Sequence, residues 1–175
     1  MSHITLIRHG QANSTAKDEV SYDRLSDLGH EQAGWLGAYL RDTGQHHTRL
    51  FTGTLRRHQE TAAGMVTGLD PVEDARFNEL EYFTLATLLE EQHNVPFPVE
   101  QGAFTQHLPL VFEHWRDGKL EGTPETWQSF HDRIRDGLKE VASGQGPALV
   151  VTSGGLISMV MAQAMGLGIP AMARI

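Results

Sequence analysis

The chain alternates short apolar runs with segments of helical periodicity, and this alternation limits the folds that it can adopt. Apolar runs cover residues 4–7, 50–52 and 148–152, and each ends in polar or small residues that lead into a loop or a helix. Such runs are typical of strands buried in a parallel sheet. We therefore predict an α/β fold, a three-layer sandwich with a mainly parallel central sheet and helices on both faces.

The first apolar run ends in Arg8-His9-Gly10. This run is most simply a central strand, and ligands of open α/β sheets bind beyond the carboxyl ends of the strands. A guanidinium and an imidazole at that end can face a cleft, and Gly10 lets the backbone turn closely around a ligand because it has no Cβ. These residues indicate a phosphate site that contains a nucleophile. Arg-His-Gly also ends strands without a function, so the prediction depends on the rest of the chain.

The second apolar run leads into a helix, for which Thr54 is the predicted N-cap. Arg56 and Arg57 then lie in the first helical turn, where the helix dipole is already positive. A bound anion would resolve this conflict. Alternatively, both arginines simply face solvent.

Other helix and strand signals complete the predicted domain, which spans residues 1–175. Ser26 is the predicted N-cap of one helix, and Thr123-Pro124-Glu125 is a strong start for another. Residues 72–77 are predicted as a strand. Residues 82–122 are predicted as a small helical cap insertion, because a segment of this length is too short to bury a core of its own.

Composition excludes several classes of protein. The 175 residues include no cysteine, which excludes disulfides, thiolate catalysis and cysteine-based metal sites. The net charge of −8 argues against broad binding to nucleic acids or membranes. No window reaches the ~18 apolar residues of a membrane helix, and the early first strand leaves no room for a signal peptide, so we expect a cytoplasmic location. Most histidines lie in predicted loops or helix faces without further ligands, so neither a metal nor a cofactor is predicted.

The motifs, taken in order, resemble those of the histidine phosphatase superfamily, in its phosphoglycerate mutase-like phosphatase branch. They are Leu6–Gly10, Leu25–Gly29 with Gln32-Ala33, Leu55–Arg57 with Thr61-Ala62, Asn78-Glu79 and Val150–Gly155. The resemblance implies that His9 is the nucleophile that becomes phosphorylated and that Arg8 and Arg57 clamp the phosphoryl group. It also implies that Glu79 is the general acid.

The chain departs from the family pattern at Ser153, where a second histidine usually contacts the same phosphate. Ser153 and Gly154 remain candidate phosphate-binding residues, but a serine hydroxyl carries no charge. Loss of one preorganised donor lowers a rate on the order of a hundredfold, or roughly 3 kcal/mol. His58 could replace the missing histidine, although one helical step turns it about 100° away from Arg57.

The expected function is that of a metal-independent phosphomonoesterase that works through a phosphohistidine. Its substrate would be a small phosphomonoester or a phosphopeptide, and no oligomeric state is predicted. The alternative is a pseudo-phosphatase that binds phosphate or a phosphoprotein with little turnover. A sugar-phosphate mutase is less favoured, because the cap is short and poor in cations.

The cap also predicts a charge preference. Between residues 82 and 122 there are six acidic residues and two cations, a local charge of −4. If the acidic side chains overhang the site, they would disfavour bisphosphates over monophosphates. Alternatively, they face away from the site as a solvated surface.

Overall fold

The strands of the protein form one parallel sheet. The structure, a computed structural model, describes residues 3–99 and 101–175. Its strands are β1 (Ile4–Arg8), β2 (Arg49–Thr52), β3 (Pro71–Glu73) and β4 (Ala148–Thr152). Within these ranges the strand order is β1-β4-β2-β3, and all neighbouring strands are parallel. The carboxyl ends of all four strands therefore meet at one edge of the sheet.

β4, all five of whose residues are buried, lies inside the sheet, and β1 lies at its edge. The prediction of a central position for β1 is therefore wrong. The physical reason is that β1 is less buried than β4, since Ile7 is the only one of its residues that is buried. A strand that is apolar on both faces fits the centre better.

Helices cover both faces of the sheet. They are α1 (Glu19–Tyr22), α2 (Asp27–Asp42), α3 (Arg56–Gly64), α4 (Tyr82–His93), α5 (Gln101–Arg116), α6 (Trp127–Ser143), α7 (Gly154–Met165) and α8 (Ile169–Met172). Along β4, Leu149 and Val151 pack in one apolar cluster with residues of α2 and α3. Ala148 and Val150 pack in a second cluster with residues of α4 to α7. This alternation confirms the predicted α/β sandwich with helices on both faces.

Of the three predicted helix starts, the one at Ser26 is correct and the other two are wrong. A long-range contact explains the error at Thr54. Ser26 caps α2 as predicted, since its hydroxyl accepts from Gly29 N. α3 instead has Leu55 at its N-cap, because Thr54 is hydrogen-bonded to Asn78 through its backbone N–H and its hydroxyl. α6 begins three residues later than predicted, where the Thr126 hydroxyl accepts from Ser129 N.

The predicted strand over residues 72–77 is correct at residues 72 and 73 and wrong at the other four. β3 ends at Glu73, and residues 75–77 form a 3₁₀ turn that buries Phe77 completely. Asp74 caps this turn by accepting from Arg76 N, which diverts the backbone from the sheet.

The segment predicted as a cap contains α4 and α5. Their buried side chains, among them Leu89 and Phe112, belong to the same apolar cluster as Phe130 of α6. That residues 82–122 are an insertion into a single domain stays a prediction. Among the helices that the structure describes, none combines the length and apolar character needed to cross a membrane.

Candidate active site

His9 follows directly on β1 and is prepared to act as a nucleophile. Its side chain is buried, and Nδ1 lies 2.6 Å from the Gly10 carbonyl oxygen. Because a carbonyl can only accept, Nδ1 is the nitrogen that carries the proton, and Nε2 keeps its lone pair. Burial, with smaller contributions from Arg57 and Arg8, lowers the pKa of His9 to about 4. The imidazole is therefore neutral at pH 7.

The loop after His9 requires glycine at position 10 because of a close backbone contact, and not because a ligand needs the space. A Cβ on Gly10 would lie 2.4 Å from the carbonyl oxygen of Gly29 in α2, so this close approach requires glycine. Gly10 N donates to the Thr61 hydroxyl over 3.1 Å, and that hydroxyl donates to the carbonyl of Arg57 over 2.7 Å. Thr61 thus connects the loop after His9 to α3, the helix that carries Arg57.

The adjacent arginines of α3 have different environments. Arg56 is exposed and pairs with Glu60, so the alternative of a solvent-facing side chain holds for Arg56 but not for Arg57. Arg57 is buried, lines the same cavity as His9, and stands over the Tyr22 ring at 5.0 Å. Its Nε has no hydrogen-bond partner among the described residues. Arg57 therefore keeps one hydrogen-bond donor that no described residue uses.

Asp23 resolves the charge conflict at the start of α3. Its carboxylate accepts from the backbone N–H groups of Arg56 and Arg57 and from Arg57 Nη1 at 3.0 Å. The anion that the sequence predicts at this helix start is thus partly supplied by the chain itself. Sequence analysis missed Asp23, because nothing local connects it with a helix more than thirty residues away.

Glu79 is suited to hold a proton. It is half-buried and lines the cavity, where Oε2 accepts from Gly155 N at 2.8 Å and Oε1 from Leu80 N at 3.1 Å. Burial raises the pKa of its carboxyl, against the lowering effect of these hydrogen bonds and of Arg57 and Arg8. A carboxyl group in this state can donate a proton to a leaving group.

Ser153 is fully buried in the protein and does not reach the cavity. Its Oγ is 2.6 Å from Nε2 of His58. His58 is also fully buried, with its ring 5.6 Å from that of His9. Burial lowers the pKa of His58 to about 2, so it supplies no positive charge in place of the missing histidine.

Most of the predicted site residues meet in a cavity of about 790 Å³. Arg8, His9, Arg57, Glu79 and Gly154 all line it, whereas Ser153 does not. Glu19 and a set of aromatic residues also line the cavity, and no sequence motif indicated them individually. Across residues 3–99 and 101–175, no three His, Asp or Glu side chains are grouped so that they could hold a metal ion.

Among the described residues of the cap, the acidic side chains fit the alternative of a solvated surface, and the preference for monophosphates over bisphosphates stays a prediction. None of these acidic side chains lines the cavity; they are Glu90, Glu91, Glu113, Asp117 and Glu121. Glu100 lies outside the described residues. The helices turn apolar side chains toward the cavity instead, because their apolar stripe faces the core and leaves acidic residues on the solvent side.

The model of the histidine phosphatase superfamily (branch 1) matches residues 4–175. The chain belongs to this superfamily. The resemblance seen in the motifs is thereby confirmed. Its relatives named below are phosphatases and mutases, which supports phosphoryl transfer through a histidine.

Curated relatives of this chain are similar to it over part of their length. A 2,3-bisphosphoglycerate-dependent phosphoglycerate mutase of Chelativorans sp. is 30% identical over 106 residues, which are 56% of this chain and 52% of the relative. The mitochondrial serine/threonine-protein phosphatase Pgam5 of Drosophila willistoni is 29% identical over 143 residues, 79% of this chain and 43% of the relative. The chain thus spans about half the length of these relatives.

Solved structures of other proteins share the fold of this chain. Phosphoglycerate mutase from Bacillus anthracis superposes with a TM-score of 0.66 at 21% identity, over 94% of this chain and 82% of the other. Phosphoserine phosphatase from Entamoeba histolytica, as a mutant in complex with phosphoserine, gives 0.69 at 14% identity, over 100% and 85%. At these identities the likeness shows the fold alone.

Proposed function

We propose that this histidine phosphatase is a metal-independent phosphomonoesterase that forms a phosphohistidine on His9. The observation that carries the proposal is the hydrogen bond from His9 Nδ1 to the Gly10 carbonyl, which leaves a neutral Nε2 free to attack phosphorus. Arg8 and Arg57 line the same cavity and supply guanidinium groups for the phosphoryl oxygens. Positioning and charge neutralisation are the main requirements of phosphoryl transfer.

The proposed reaction has two steps. In the first, Nε2 of His9 forms a bond to phosphorus, the ester P–O bond breaks, and Glu79 gives its proton to the leaving alcohol. In the second, water attacks the phosphorus and the P–N bond breaks, while the Glu79 carboxylate takes a proton from that water. Inorganic phosphate leaves, and His9 and Glu79 return to their starting states.

The second candidate is a phosphate- or phosphoprotein-binding pseudo-phosphatase. The buried pair of Ser153 and His58 favours it, because the end of β4 brings no cation to the cavity. Such a protein would bind a phosphorylated small molecule or peptide but turn it over slowly.

Trapping of the covalent intermediate tests the proposal. Brief incubation with a phosphomonoester in the presence of a chelator, followed by denaturation, should leave an acid-labile, alkali-stable phosphoryl group on the peptide that contains His9. His9→Ala should abolish both label and turnover, whereas His46→Ala, at an exposed histidine outside the cavity lining, should change neither. Turnover retained by His9→Ala would exclude this nucleophile. Phosphate binding without label or turnover in the wild type would favour the pseudo-phosphatase.

A further inference from the structure

One side of the cavity is a continuous surface of aromatic rings, which we call the aromatic wall: Tyr22, Tyr82, Phe83, Phe97 and Phe104. Phe83 and Phe97 are stacked, with ring centroids 5.9 Å apart and an interplanar angle of 11°. Tyr22 touches Phe83 at 5.9 Å, and Tyr82 touches Phe97 at 5.8 Å and Phe104 at 5.1 Å. Each ring of the wall therefore contacts another ring of the wall.

The aromatic wall begins at the reacting group. The Tyr22 ring lies 6.3 Å from the His9 imidazole at an interplanar angle of 81°. The guanidinium of Arg57 stands over the same ring, 5.0 Å from its centroid. A phosphoryl group held by Arg57 and attacked by His9 would therefore lie next to the first ring of the wall.

Part of the cavity lining is apolar and open to solvent. Phe104 is 41% exposed and Val99 is 98% exposed, and both line the cavity. Contiguous exposed apolar surface in a soluble protein marks binding sites more often than it serves stability. Within residues 3–99 and 101–175, the cations that line the cavity are Arg8, Arg57 and Arg174. The wall itself therefore offers ring faces rather than charge to the alcohol part of a substrate.

We propose that the cavity takes phosphate monoesters whose alcohol carries an aromatic ring, which stacks on the aromatic wall while His9 attacks the phosphorus. This inference rests on the proposed function and names its substrate class. Offset and edge-to-face ring pairs add to the free energy of simple burial. The volume of about 790 Å³ lies in the range of pockets that enclose a drug-sized ligand, so there is room for a ring and its substituents.

Binding of phosphonates that cannot be hydrolysed tests the inference without any need for turnover. Benzylphosphonate and methylphosphonate carry the same charged group and differ by one ring. Isothermal titration calorimetry should give at least about tenfold tighter binding of benzylphosphonate, because the ring is both buried and stacked. Equal affinities, or no binding of benzylphosphonate, would overturn the inference.

Variants of the wall identify the contact. Phe83→Leu and Phe104→Leu keep apolar bulk but remove the ring, and each should lower the preference for benzylphosphonate about two- to tenfold. Tyr39→Leu removes an exposed ring of α2 that does not line the cavity, and it should leave the preference unchanged. An unchanged preference in both Phe variants would contradict stacking on the wall.

A peptide and a small molecule could both present this chemistry. A peptide that contains phosphonomethylphenylalanine should bind tighter than benzylphosphonate if the natural substrate is a phosphotyrosine segment, and no tighter if it is a small aromatic ester. Either result supports an aromatic substrate. The labelling of His9 is measured separately, so a protein that binds benzylphosphonate but forms no phosphohistidine would refute the proposed function and leave the inference supported.

Discussion

The buried contact between His58 and Ser153 predicts that a histidine fits at position 153 only when His58 is removed. The hydroxyl oxygen of Ser153 is 2.6 Å from Nε2 of His58, and both residues are fully buried. A Cβ on neighbouring Gly53 would already lie 2.3 Å from Nδ1 of His58, so the imidazole cannot retreat on that side. Ser153→His alone therefore forces two imidazoles into the space of one.

The expected magnitudes follow from this packing. Ser153→His should lower the free energy of unfolding by about 2–4 kcal/mol, through overpacking and the loss of one hydrogen bond. His58→Ala should lower it by a similar amount, about 2–4 kcal/mol, because it leaves a cavity and an unpaired hydroxyl. The double variant exchanges the two volumes, so it should lose only about 1–3 kcal/mol rather than the sum of the single changes.

Urea unfolding of the wild type, both single variants and the double variant measures this coupling. His58→Ala combined with His46→Ala, at an exposed residue, is the control pair and should be additive. Full stability of Ser153→His, or an additive double variant, would refute the packing argument. If the double variant brings an imidazolium to the cavity, its kcat should exceed that of His58→Ala by up to about a hundredfold.

Two further predictions concern the proton transfers and the loop behind His9. The profile of kcat/KM against pH should fall on the acid side as His9 gains a proton near pH 4, and on the alkaline side as Glu79 loses its proton above its raised pKa. Glu79→Gln should lower kcat about a hundredfold or more and remove the alkaline fall, and a fall that persists belongs to another group. Thr61→Val should lower the free energy of unfolding by about 1–3 kcal/mol, because Gly10 N loses its buried acceptor, whereas Thr61→Ser should keep most of the stability. Equal urea midpoints for the two Thr61 variants would show that the hydroxyl is not needed.

The parts of the fold and site that depend on local pattern could be predicted from the sequence. Apolar runs defined β1, β2 and β4, and the parallel arrangement brings their ends to one edge. That is why Arg8 and His9 line one cavity with Gly154, which is far from them in the chain. The motif resemblance added Glu79 and selected Arg57 from the two arginines at the start of α3, and both residues line the cavity.

The parts that depend on distant partners could not be predicted. The helix signal at Thr54 was overridden by Asn78, and the carboxylate of Asp23 satisfies the α3 backbone instead. The edge position of β1 depends on which strands pair, and local hydrophobicity does not determine that order. The aromatic rings that line the cavity come from α1, α4, α5 and the segment between α4 and α5, so no local pattern predicted that they would meet there.

The ion pair between Asp23 and Arg57 has a consequence for product release. Because Arg57 Nη1 already contacts a carboxylate at 3.0 Å, a phosphate that binds beside it meets less net positive charge than two unpaired arginines would present. In the proposed reaction, inorganic phosphate would then be held less tightly at the end of each cycle. The same carboxylate fixes the position of the guanidinium before substrate arrives. Arg57 therefore stays oriented for binding even though its attraction for product is weaker.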